Sequence, residues 1–358
     1  MKEKAITLQE AELLSSNKIV NPEKLSFFSG VTPDTAVLVV LAAGKGTRFG
    51  TDPKCIQPVC GVALSKHTID SFRRMNSAPV ICLVGYKHDE VQQALGDENI
   101  YIRSANPAGG TALASWEALC IEELVEKDLL LIITMGDRIV PTSVFEQIIG
   151  THCGQLKEPG LTFLTAQYEN PRNKGRGRIL RDNKGNVERI IEQKDIDTEE
   201  NPTVRIALDS ITECNCPLYA IRACKLKDVL SGITNDNAQQ QYYLTDIVSV
   251  LKNRNEEIRT VTITTKDPEF DLLSSDVTRS ADLALLEGIL STPSGLATLE
   301  YSKRLRYRVH FPQKSTFSGE LGNYLFVGKG IRREGVKLAD FLNPVPIPQK
   351  TTFLVEVA

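Results

Sequence analysis

The chain has 358 residues, a formal net charge of −3 and an isoelectric point near 6.0. With 41% apolar and 24% charged residues it has the ordinary balance of a soluble globular protein, and the acidic isoelectric point excludes an electrostatic footprint for nucleic acid as a main partner. No apolar run approaches the roughly eighteen residues of a membrane span.

In chain order, residues 1–35 carry a short amphipathic helix candidate, ITLQEAELLSS, and a Pro- and Ser-bearing link, together read as an N-terminal extension that packs on a main domain. From Ala36 onward, short β-rich apolar runs alternate with helical segments. The expected strands are AVLVVLA, PVICLVGY, DLLLIITMGD and GLTFLTAQY, and the helices between them SKHTIDSFRRMN, HDEVQQALG, GTALASWEALCIEELV and PTSVFEQIIGTH. Such alternation predicts a Rossmann-like α/β fold, a mostly parallel mixed sheet covered by helices on both faces. After residue 170, GRGRILRDNKGNVERIIEQKD predicts a hairpin that turns at Asp182–Gly185 and ends at Glu192. ITECNCPLYAIR reads as a strand carrying Asn215, ACKLKDVLSGI and YYLTDIVSVLKNRN as helices, RTVTITT as a late strand and SADLALLEGIL as a closing helix. The main domain is thus expected over residues 36–291, followed by a β-containing tail, 292–358, whose role the pattern leaves open.

The four histidines (His67, His88, His152 and His310) are scattered and offer no metal-ligand spacing. Of the eight cysteines, several lie inside apolar runs, as Cys82 does in VICLVG, where free cysteine acts as a small buried hydrophobe. Cys214 and Cys216 form a lone C-x-C with no second pair, which argues against a zinc site. The opening MKEKAITLQEAELLSS is polar and lacks the apolar core of a secretory signal, so the expected setting is the reduced cytoplasm.

In sheets of this kind, ligands bind beyond the carboxyl ends of the strands. LVVLAAGKGTRFGTDPK, Leu38 to Lys54, puts glycines and cations at such an end. A P-loop needs G-x-x-x-x-G-K-[ST]; here Val39 stands where the first glycine belongs, and Gly46 follows Lys45 instead of a hydroxyl. A dinucleotide fingerprint begins at Gly44-Lys45-Gly46, but Phe49 fills its third glycine position and Gly50 comes one residue late. What remains is a turn whose backbone amides can face an anion, with Lys45, Arg48 and Lys54 at short range. Three cations exceed the need of one monophosphate and suit a triphosphate. Asp137, in TMGDR, also follows a strand and is placed to hold Mg²⁺ against phosphate oxygens. The competing reading is a cap for the helix that begins near Pro141.

These residues resemble the signature of the sugar-1-phosphate nucleotidyltransferases, L-A-A-G-x-G-T-R-M followed shortly by P-K. The likeness is strongest to the uridylyltransferase half of bacterial UDP-N-acetylglucosamine pyrophosphorylase. MGDR, GRGRILRDNKGNVERIIEQKD, TECNCPLYAI and ITNDNAQQQYYLTDIVSV resemble further family stretches in the same order, so the similarity runs over about residues 36–290. The resemblance implies a nucleotidyltransferase fold, Mg²⁺ as cofactor, and the reaction of a nucleoside triphosphate with a sugar-1-phosphate to give an NDP-sugar and pyrophosphate. UTP and N-acetylglucosamine-1-phosphate are the substrates it points to first. It implies that Leu41, Ala42, Ala43 and Gly44 supply backbone contacts to base and ribose, in a nucleotide-binding turn continued by Lys45 and Gly46. Arg48 would hold the departing pyrophosphate, Lys54 the α-phosphate and Asp137 the metal. Gly177, Glu192 and Asn215 match positions that hold the sugar, and Tyr243 and Thr245 lie in a motif near that pocket.

Three departures accompany the resemblance. Ser104 falls where a uracil-reading glutamine is expected, and Gly109-Gly110-Thr111 replaces G-T-G in the nucleotide-binding stretch SANPAGGTALA. The base is therefore left open between UTP and a guanylyl or adenylyl alternative, with another sugar or a cyclitol phosphate as acceptor. Thr278 stands at the second metal position, an asparagine in the relatives, and Asp276 is expected to take over by a small shift of the loop. Thr278 also keeps open a non-catalytic nucleotide-sugar-binding regulator, against which the joint presence of Arg48, Lys54 and Asp137 argues. The hexapeptide repeats of the family's acetyltransferase half are not found, so no acetyl-CoA chemistry is carried over.

Overall fold

The computed structural model describes residues 7–8, 18–44, 52–75, 78–154, 156–168, 173–275, 277, 280–292, 294–295 and 298, and the backbone of four short strands within 307–357. In chain order the strands before those four are β1 (Lys18–Ile19), β2 (Ala36–Ala42), β3 (Pro58–Val59), β4 (Val62–Ala63), β5 (Val80–Val84), β6 (Ile100–Arg103), β7 (Leu130–Met135), β8 (Leu161–Gln167), β9 (Arg178–Arg181), β10 (Val187–Ile191), β11 (Glu213–Arg222) and β12 (Ile258–Ile263). The helices are α1 (Leu64–Met75), α2 (His88–Leu95), α3 (Thr111–Ala118), α4 (Glu122–Glu126), α5 (Thr142–Cys153), α6 (Gln193–Asp197), α7 (Pro202–Asp209), α8 (Ala223–Leu230), α9 (Ile247–Asn253), α10 (Phe270–Leu273) and α11 (Ser280–Leu290).

One sheet runs β1-β6-β5-β2-β7-β11-β8-β12, with the β9–β10 hairpin attached to β11. β6, β5, β2 and β7 are parallel. β11 then runs antiparallel to both β7 and β8, and β1 is antiparallel at the β6 edge. The sheet is mixed and mostly parallel, as the alternation of strands and helices predicts.

β2 is buried along its whole length because helices cover both faces of the sheet. Val37, Val39 and Leu41 point to one side, among Trp116 of α3, Leu226 of α8 and Leu251 of α9. Leu38, Val40 and Ala42 point to the other, among Phe72 of α1, Leu95 of α2 and Phe145 of α5. The period of two in β-structure makes this alternation automatic, and each fully buried Val, Leu or Ile contributes about 1.5–3 kcal/mol. No helix among the described residues is long and apolar enough to cross a membrane.

Several local expectations are corrected. The run GTALASWEALCIEELV is two helices, α3 and α4, because the chain tightens at Leu119, whose N–H bonds to the Trp116 carbonyl. YYLTDIVSVLKNRN becomes helical only from Leu244; Tyr243 is extended at φ −83° and ψ 127°. The reason is that the Tyr242 N–H and carbonyl are bonded to Gly109 and Ala112. β6 and the pair α6–α7 are further elements, α7 being opened by Asn201, whose side chain accepts from the Thr203 and Val204 amides. The opening ITLQEAELLSS lies almost entirely outside the described residues.

Candidate active site

β2 and β7 run side by side in parallel, so their carboxyl ends deliver Ala42–Gly44 and Gly136–Asp137 to the same edge of the sheet. The approach is close. A Cβ on Gly136 would sit 3.0 Å from the Ala42 Cβ and 3.0 Å from the Ser65 Oγ, and Ser65 donates to the Gly136 carbonyl at 2.5 Å. Lys54 opens a single 3-10 turn, Lys54–Ile56, whose Cys55 is buried under the same edge. That turn carries the Lys54 ammonium to the Asp137 carboxylate at 2.5 Å.

The chain after Asp137 is fixed by Thr68, whose hydroxyl donates to the Arg138 carbonyl at 2.8 Å and accepts from the Val140 amide at 3.0 Å. Asp137 does not cap α5: the residue before that helix is Pro141, and no side chain caps it. The carboxylate therefore faces Lys54 instead of serving a helix end. Lys45, Gly46 and Arg48 lie outside the described residues, as do Asp276 and Thr278. The intervening Val277 is described, and its N–H donates to the Asp137 carbonyl at 3.4 Å.

Among the described residues, no three His, Cys, Asp or Glu side chains stand together as a metal cage. Mg²⁺ does not need one. It keeps its waters and is usually bound through one or two carboxylates plus substrate phosphates. A single strand-end carboxylate that already draws a cation fits that donor set.

Neighbouring strand ends pack against the turn. A Cβ on Gly85 would come within 2.5 Å of the Ala43 carbonyl. Lys87, held in the left-handed region at φ 52°, bonds Asp52 at 2.8 Å. Ser104 is buried beyond β6, and its amide bonds the Val84 carbonyl at 2.8 Å. Gly109, Gly110 and Thr111 form the approach to α3. Gly110 adopts φ +103°, and a Cβ there would meet the Tyr242 carbonyl oxygen at 2.5 Å. The Thr111 hydroxyl accepts from the Leu244 amide at 2.9 Å. The stretch expected to meet the nucleotide and the motif expected near the sugar are thus directly bonded to one another.

A second group forms around Glu192, which follows β10. Thr245 donates to its Oε1 at 3.0 Å. Gly177 lies so close that an added Cβ would be 3.3 Å from both carboxylate oxygens. The Gly177 carbonyl accepts from the Asn215 amide at 2.8 Å. Asn215 is 6% exposed; its Nδ2 donates to the Tyr219 hydroxyl at 2.7 Å, and its Oδ1 has no partner. Tyr243 precedes Thr245 on the same segment and is buried. Leu218 faces Thr134 in the antiparallel β11–β7 register, so Asn215, within β11, lies at the end of the sheet where Asp137 follows β7.

Burial pushes the Glu192 carboxyl up, partly offset by the Thr245 hydrogen bond. Asp246 is pushed up to about 7, first by burial and then by Asp195 and Glu192. The sequence did not single out Asp195, Asp246, Lys87 or Asp52. The first two lie within three residues of Glu192 and Thr245, which is the signal that pointed nearest to them.

Lys54 and Asp137, the end of β2 and the group around Glu192 and Asn215 thus share one end of the sheet. Residues 38–167 match the family model of the MobA-like NTP transferase domain. The chain is 34% identical over 218 residues to the bifunctional protein GlmU of Levilactobacillus brevis, a match covering 60% of this chain and 44% of that protein. It is 34% identical over 234 residues to the bifunctional protein GlmU of Thermoanaerobacter pseudethanolicus, covering 64% and 48%. The chain spans about half the length of these curated relatives. The solved nucleoside-diphosphate-sugar pyrophosphorylase of Vibrio cholerae RC9 shares the fold, with a TM-score of 0.50 at 16% identity over 69% of this chain and 98% of that one. The resemblance to sugar-1-phosphate nucleotidyltransferases read from the motifs is borne out.

Proposed function

We propose that the protein joins a nucleoside triphosphate to a sugar-1-phosphate, releasing pyrophosphate and forming an NDP-sugar, with UTP and N-acetylglucosamine-1-phosphate or a similar sugar phosphate as the substrate pair. The observation that carries this reading is the 2.5 Å contact of Lys54 with Asp137 at the carboxyl end of β7. It supports a site for a polyphosphate and its metal, at the edge where the Glu192 group would take the acceptor.

The acceptor phosphate is already an anionic nucleophile, so no histidine or serine base is required. Its oxygen attacks the α-phosphorus, the bond to the β-phosphate oxygen breaks, and pyrophosphate leaves. The obstacle is repulsion between two anions, which alignment and charge neutralisation overcome. Lys54 offsets the charge gathering on the α-phosphate. Arg48 grips the leaving pyrophosphate through its planar fork. Asp137, with Asp276 as second ligand, would hold Mg²⁺, whose charge neutralises phosphate oxygens when bound. Leu41, Ala42, Ala43, Gly44, Lys45 and Gly46 would contact the nucleotide, together with Gly109, Gly110 and Thr111. Glu192 and the Asn215 Oδ1 accept from sugar hydroxyl or amide groups, since an anion there would repel a phosphate; Gly177, Tyr243 and Thr245 complete that end. All eight cysteines are free, which supports a reducing, cytoplasmic setting.

Buried Ser104, in place of a base-reading glutamine, favours testing a guanylyl or adenylyl alternative. The test is a matrix of four nucleoside triphosphates against a panel of sugar- and cyclitol-1-phosphates with Mg²⁺, reading pyrophosphate. One pair should dominate. Tight nucleotide binding with no pyrophosphate from any pair would instead establish a non-catalytic binder.

A further inference from the structure

Arg178, on β9, is among the largest fully buried side chains of the described residues. A buried guanidinium is costly unless it is closely paired and hydrogen-bonded, yet its nearest carboxylate, Asp209 Oδ1, stands 3.7 Å away. What the fork does hold is different. Nη1 donates to the Arg176 carbonyl, and Nη2 donates to the Gln193 Oε1 at 2.7 Å. Arg176 and Gln193 are the chain neighbours of Gly177 and Glu192. One planar group therefore ties the Arg176 backbone to the Gln193 side chain, beside the point where a Cβ on Gly177 would come within 3.3 Å of the Glu192 oxygens.

The rest of the network extends that clamp. Gln193 Oε1 also accepts from the Gly175 amide at 3.0 Å, and its Nε2 donates to Asp197 at 3.0 Å. Asn173 donates to the Asp209 carbonyl at 2.9 Å, so the end of α7, a helix with no buried residue, is anchored to the same place. A lysine could not reproduce this arrangement, because its single ammonium has no fixed fork to span two carbonyl oxygens.

We infer that Arg178 is a positioning residue for the acceptor end: through Gln193 and the Arg176 carbonyl it sets the Gly177–Glu192 separation that receives the sugar phosphate. It touches neither substrate. The inference rests on the proposed reaction and deepens it. Misplacing a binding group by about 1 Å can cost on the order of 100-fold, and here the loss falls on the acceptor and spares the nucleotide.

The experiment measures KM for both substrates, in the pair found by the matrix above, for Arg178→Lys, Gln193→Leu and the double variant. The acceptor KM should rise on the order of 10- to 100-fold in each single variant, with the nucleotide KM within a few-fold of wild type. Because Gln193 acts through its contact with Arg178, the double variant should be no worse than the more impaired of the two single variants. An unchanged acceptor KM in the folded variants, with only a lower unfolding midpoint, would show Arg178 to be purely structural. If Arg178→Lys does not fold, Gln193→Leu, at a half-buried position, decides alone. A wild-type enzyme inactive with every pair would overturn the proposed reaction itself, whereas an active one with unmoved acceptor KM overturns only the positioning role.

Discussion

Lys54 and Asp137 are 83 positions apart in sequence and in contact in space. Each is a poor stabiliser of the fold, since a part-exposed ion pair is worth about 0–1 kcal/mol. Their value is as charge held ready at a strand end. Lys54→Ala and Asp137→Ala should each lower pyrophosphate release by roughly two orders of magnitude or more, with unfolding midpoints close to wild type. Asp246 makes a prediction of another kind. Its carboxyl is pushed up to about 7 by burial and by Asp195 and Glu192, so between about pH 4 and 7 the folded state holds a proton that the unfolded state has released. Stability from this group is present at pH 4 and is lost as pH rises through 7. Asp246→Asn should leave the unfolding midpoint unchanged near pH 4 and raise it above wild type at pH 8; equal midpoints at both would refute the assignment. The motif residues were legible because each belongs to a short local pattern. Asp246 and Arg178 were not, because their environments are assembled from β9, the Glu192 turn and the chain before α9.

At the scale of elements, the glycines do the work of close approach. Gly110 combines φ +103° with a missing Cβ that would fall 2.5 Å from the Tyr242 carbonyl. Gly110→Ala should destabilise by roughly 1–3 kcal/mol from the backbone conformation alone, read as a lower midpoint in calorimetry, and should also weaken nucleotide binding by moving the start of α3. The strands Ala36–Ala42, Val80–Val84, Leu130–Met135 and Leu161–Gln167 were legible, since each is an apolar run bounded by helical periodicity. Ile100–Arg103 is too short to announce itself, and pairing with β5 and β1 makes it a strand. Tyr242 and Tyr243 carry a helical pattern that hydrogen bonds to Gly109 and Ala112 override. Helix periodicity reports which side chains are apolar; it does not report which backbone amides a distant segment has claimed.

Across the whole molecule, the doubly covered sheet is a platform that sets two chemically opposite groups along one edge. Lys54 and Asp137 form an ion pair at one place along it, and Glu192 and Asn215 bring carboxylate and amide oxygens to another; under the proposed function the first meets the nucleotide and its metal and the second the acceptor. Rigidity in the centre matters for that separation. Leu38→Ala, in a fully buried position of β2, should cost about 2–5 kcal/mol and be visible in denaturant unfolding.

The central claim, that Lys54 and Asp137 meet a single triphosphate, is tested most directly by a crystal structure with Mn²⁺ and a non-hydrolysable nucleoside triphosphate. Anomalous density should place the metal about 2.1 Å from an Asp137 oxygen, with the Lys54 ammonium moved from that carboxylate onto the α-phosphate. A nucleotide bound elsewhere, with Lys54 still on a metal-free Asp137, would contradict the account.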